Sequence, residues 1–62
     1  MEKNLTEYLS NIRSELTKSN WHYTPDRAAE IVLRNIEYLQ KAYNDSEPSW
    51  DAAMEIGFDT NT

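Results

Sequence analysis

Apolar residues open the chain at helical spacing. Leu5, Tyr8, Leu9, Ile12 and Leu16 fall on one face of a 3.6-residue repeat. Asn4 precedes this stripe and Glu7 follows three residues later, a capping box with Asn in place of Ser or Thr. A first helix is predicted over about residues 5–18, with Ser19 and Asn20 as stop residues. Thr24-Pro25-Asp26 then gives the strongest local signal. Thr is a helix cap, Pro needs no N–H at the first helical position, and Asp complements the positive end of the helix dipole. The apolar positions that follow are Ala28, Ala29, Val32, Ile36, Leu39 and Tyr43, widened on one side by Ile31, Tyr38 and Ala42. They predict one long helix over about residues 25–43 whose broad face meets more than one neighbour. Tyr23 is expected to staple onto Ala28. Arg27, Glu30, Arg34, Glu37 and Lys41 make the opposite face, with Glu30–Arg34 and Glu37–Lys41 in the favourable i, i+4 order.

Asn44-Asp45-Ser46 reads as a tight connection. Ser46 or Ser49 is expected to start a third helix, over about residues 47–56, with Pro48 in its first turn and Trp50, Ala53 and Met54 as its apolar stripe. Gly57, the one glycine, stands where a left-handed cap would end that helix, and Phe58 where the hydrophobic contact of a Schellman motif would fall. Residues 59–62 are expected to be a frayed tail. The resulting expectation is an all-α, three-helix bundle over residues 1–58, since short loops favour antiparallel neighbours.

Size limits what such a bundle does alone. At 62 residues a domain buries only about 60% of the surface its unfolded chain exposes. Cysteine is absent and His22 is the single histidine, which excludes disulfides, thiolate metal sites and multi-histidine zinc sites. Self-association is then a remaining route to stability. Tyr8, Ile31, Tyr38 and Ala42 are the candidate seam of a homodimer, the alternative being ordinary apolar exposure in a monomer. The Met1-Glu2-Lys3-Asn4 start leads into no apolar run like that of a signal peptide, and no stretch has the length of a membrane span. A cytoplasmic protein is expected.

Charge changes the picture most. Residues 1–41 carry six acids and six bases, which cancel; residues 42–62 carry Asp45, Glu47, Asp51, Glu55 and Asp59 and no base, so the whole net charge of −5 lies there. Glu47, Asp51, Glu55 and Asp59 recur every four residues, which on a helix makes one acidic ridge. Like charges at that spacing cost stability. Two readings follow: a solvated face, or a docking surface for the Lys and Arg of a partner.

Other constellations are weaker. Trp21-His22-Tyr23 is an aromatic cluster that either closes the end of the bundle or offers a contact residue. Arg27, Arg34 and Lys41 lie seven apart and so share a face that could track a nucleic-acid backbone, but Glu30 and Glu37 interleave them. A helix-turn-helix reader needs a recognition helix rich in Arg, Lys, Asn or Gln, and no helix here qualifies. No catalytic triad, phosphate loop, calcium loop or metal motif is present, so neither an enzyme, a cofactor nor a small-molecule substrate is expected. Met54-Glu55-Ile56-Gly57-Phe58 resembles the Met-Gly-Phe loop of ubiquitin-associated domains, also small three-helix bundles. In that family the loop follows the first helix and two more helices come after it, so no function is carried over.

The expectation from sequence is a small acidic adaptor or inhibitor, of a kind that would suit a phage or mobile element. It docks on a basic protein partner through Glu47, Trp50, Asp51 and Glu55, the acids steering and Trp50 anchoring. The alternative is a self-associating structural or assembly protein whose acids serve solubility. A nucleic-acid binder through Arg27, Arg34 and Lys41 ranks third.

Overall fold

In a computed structural model, residues 4–18 and 22–61 are described, with side chains as far as Phe58. The described residues are all-α: α1 (Leu5–Lys18), α2 (Pro25–Arg34), α3 (Ile36–Asn44) and α4 (Ser49–Asn61). No helix among them is long and apolar enough to cross a membrane.

Both expected caps form. The Asn4 Oδ1 accepts the Glu7 N–H at 2.8 Å. Thr24 Oγ1 accepts the Arg27 N–H at 3.2 Å, with Pro25 at the start of α2. The α1 stripe buries Tyr8, Ile12 and Leu16, and Leu5 and Leu9 pack partly against the same core.

The second helix departs from expectation. Instead of one helix over residues 25–43 there are two, broken at Asn35, so the bundle has four helices rather than three. The cause is a short polar side chain competing for backbone partners. Asn35 Nδ2 donates to the Ile31 carbonyl at 2.8 Å, and the Asn35 N–H reaches the Ile31 and Val32 carbonyls at 3.2 and 3.1 Å. Its backbone sits at φ −112°, ψ 22°, while its carbonyl accepts the Leu39 N–H and starts α3. Burial continues across the break: Ala28, Ile31 and Val32 before it, Leu39 and Ala42 after it.

The third predicted helix starts at Ser49, one of its two expected start residues, and runs past its expected end through Gly57 to Asn61. Gly57 has no positive φ and is buried. The Met54–Phe58 segment is therefore helix, unlike the loop it resembles in sequence. The Schellman motif exists, but at Ser46. That residue takes φ 62°, its N–H donates to the Tyr43 carbonyl at 3.0 Å, and the Glu47 N–H donates to the Ala42 carbonyl at 2.9 Å. A serine bears the left-handed conformation that glycine would take without penalty.

This turn brings α4 back onto α1, the most extensive helix pairing in the molecule; α1 also touches α2 and α3 and so forms the centre of the bundle. Tyr8 fixes the junction. Its ring meets Tyr43 edge-on at 5.3 Å, and its hydroxyl donates to the Glu47 carbonyl at 2.9 Å. The α4 face turned to the core is Ala52, Ala53, Ile56 and Gly57; of the expected stripe Ala53 is there, and Trp50 and Met54 are not. Small side chains allow two helix backbones to come close; Trp or Met at those places would hold them apart.

Candidate functional site

The core claims three of the four residues assigned to a dimer seam. Tyr8, Ile31 and Ala42 are each at most 2% exposed, because the packing of α1 on its neighbours within one chain already covers them. Tyr38 alone of the four is open, at 39%.

The residues assigned to partner binding come together on α4 and the turn before it. Asp51 and Glu55 lie one helical turn apart, and Glu47 continues their line from the turn. Beside them runs an apolar row with the same four-residue spacing. Trp50 is 57% exposed, Met54 42% and Phe58 58%. Each four-residue step turns only about 40° around a helix axis, so the two rows stay adjacent along the helix. No basic residue occurs anywhere in α4.

Tyr38 reaches this face from α3. Its hydroxyl donates to Glu47 Oε1 at 3.4 Å. The phenol is held above its usual range, first by partial burial, then by the negative charge of Glu47 and Glu55. The hydrogen bond to Glu47 and the charge of Asp51 act in the same direction. Burial disfavours a charge of either sign, but the part of the shift that comes from Glu47, Glu55 and Asp51 marks a negative potential, which favours a positive charge. The carboxylates nevertheless do not converge: among the described residues no group of three or more acids or histidines is placed to hold a metal ion.

The basic face of α2 is arranged differently. Arg27 Nη1 pairs with Glu30 Oε1 at 2.7 Å, and Arg34 Nη2 approaches Glu30 Oε2 at 3.4 Å. The two guanidiniums hold the Glu30 carboxyl below its usual range, through the Arg27 hydrogen bond first and the charges of both arginines after it. Two of the three cations proposed for a phosphate backbone are thus engaged by one carboxylate. Glu37 and Lys41, both exposed, form no ion pair with each other. Trp21 lies outside the described residues. His22 is exposed with φ 55°, and Tyr23 packs partly on the core. The buried Tyr23 hydroxyl has no hydrogen-bond partner among the described residues.

Sequence reasoning missed the exposure of Met54 and Phe58, and it passed over Leu33, which is 70% exposed. Leu33 had a signal: it stands three residues after Glu30, on the charged side of α2. Comparisons with protein-family models, curated proteins and solved structures return no match.

Proposed function

We propose that this chain is a non-enzymatic binding protein, an adaptor or inhibitor, whose α4 face docks on a basic amphipathic segment of a partner protein. The observation that carries this reading is the pairing of two rows on α4: Trp50 and Met54, large and open to solvent, beside the carboxylates of Glu47, Asp51 and Glu55. Exposed aromatic side chains are the usual anchors of protein interfaces, and surrounding charges set orientation and encounter rate. The charges complement lysine and arginine, and the share that Glu47, Glu55 and Asp51 have in raising the Tyr38 phenol supports the same polarity. Trp50 inserts, Met54 adapts to the partner's apolar side chains, and the acids steer.

The test is calorimetric titration with a synthetic helical peptide carrying leucine on one face and lysine on the other. Trp50→Ala should weaken binding about tenfold or more. The triple change Glu47→Gln, Asp51→Asn, Glu55→Gln should lower affinity and flatten its salt dependence. Affinity that does not change between low and high salt would rule out charge-steered docking.

A further inference from the structure

We propose that a groove between α1 and α2 receives the Trp50–Met54 ridge of a second copy of this chain, joining subunits head to tail. The groove has a volume of about 270 Å³ and is lined by Leu9, Val32, Leu33 and Ile36, with Arg13 among them. That volume falls just under the range of about 300–1,000 Å³ typical of small-molecule sites, and suits one large side chain of a protein. Leu33 is more exposed than any other large apolar residue described, although folding of a single chain gains little from a leucine placed there.

Charge identifies the occupant. No acid lines this groove, nor the adjoining one formed by Ser10, Arg13, Ser14, Thr17 and Pro25. Arg13 stands where the two meet and, unlike Arg27 and Arg34, makes no ion pair among the described residues. The complementary surface must be large, apolar and acidic without bases. On this molecule that surface is α4. Ridge and groove are separate surfaces, and joined head to tail each subunit in a chain or ring offers one and accepts the other. The ridge is shared with the docking reading above, and self-association would cover it until a basic partner competes.

Complementation tests the pairing. Leu33→Glu places an acid at the groove, and Trp50→Glu removes the anchor from the ridge; both positions are exposed, and circular dichroism checks that each variant keeps its helices. In sedimentation equilibrium the wild type should associate with rising concentration, less so in salt. Each variant alone should associate about tenfold or more weakly. An equimolar mixture pairs the intact ridge of one with the intact groove of the other, and should give dimers and nothing larger. A wild type that stays monomeric throughout overturns the proposal. So does a mixture no stronger than its separate components, which would mean a self-complementary patch. Titrating the lysine–leucine peptide into Leu33→Glu keeps the two readings apart. Its ridge is intact, so peptide binding there survives failure of self-association, and its loss there condemns the docking reading alone.

Discussion

Helices α1 and α4 are each other's main partners, yet they meet by opposite rules. α1 turns its large apolar residues inward, Tyr8, Ile12 and Leu16. α4 turns small ones inward, Ala52, Ala53 and Gly57 around Ile56, and leaves Trp50, Met54 and Phe58 open to water. The pair is complementary in size: one helix supplies bulk, the other supplies room. A small domain short of core nevertheless spends its largest α4 side chains on the outside. Packing accounts for α1 completely, and for only half of α4.

Substitutions on the two helices should separate these rules. Ile12→Ala removes bulk where nothing replaces it and should cost about 2–5 kcal/mol, read by urea denaturation, leaving little folded protein. Ala53→Leu adds bulk where room is needed and should cost about 1–3 kcal/mol; a neutral result would mean that α4 does not approach α1 through its small face. Ser46→Gly relieves the left-handed turn feeding α4. It should stabilise by about 0.5–1 kcal/mol, the conformational cost of serine less the extra chain entropy that glycine loses.

The outer face should respond to pH before it responds to truncation. The Tyr38 phenol is raised by partial burial and then by the neighbouring carboxylates, so the folded state holds its proton more tightly than the unfolded state does. Its contribution is full below the ordinary phenol value of about 10 and is lost as pH rises through the folded value. Ultraviolet titration of tyrosinate in the wild type and in Glu47→Gln should differ by one phenol, Tyr38, which the substitution brings part of the way back toward its ordinary value. Trp50→Ala should change stability least, within about 0.5 kcal/mol. A larger loss would show that Trp50 belongs to the fold and not to an interface.

How well each region could be read from sequence follows the same division. Caps are local chemistry, so Asn4 and Thr24 were legible, and so was the α1 stripe. The break at Asn35 was not, because the i, i+3, i+4 pattern of apolar residues runs through it and a single side-chain bond to the Ile31 carbonyl leaves no periodic trace. α4 misled in two ways. Apolar residues surround it, so no stripe stands out, and the choice between Trp50 and Ala52 as core depends on how near α1 lies. The glycine rule for left-handed turns then pointed to Gly57, while the turn fell to Ser46 and the glycine was used for its missing side chain. Of the candidate site, the acidic row and Trp50 were visible as spacing; Tyr38 joining Glu47 from another helix, and Leu33 beside a groove, needed the tertiary arrangement.

The hydroxyl of Tyr8 resting on the Glu47 carbonyl has a consequence for the way the chain is made. α1 finds its main partner in α4, with two helices between them, so the contact that completes the core closes a long loop, at an entropic cost offset only when both helices are present. On the ribosome, where residues emerge at about 5–20 per second, α1 can pack on α2 and α3 first, and the side of its stripe that meets α4 stays uncovered until α4 has been synthesised. A nascent chain halted before Ser49 would leave the side of that stripe that meets α4 open to chaperones and proteases.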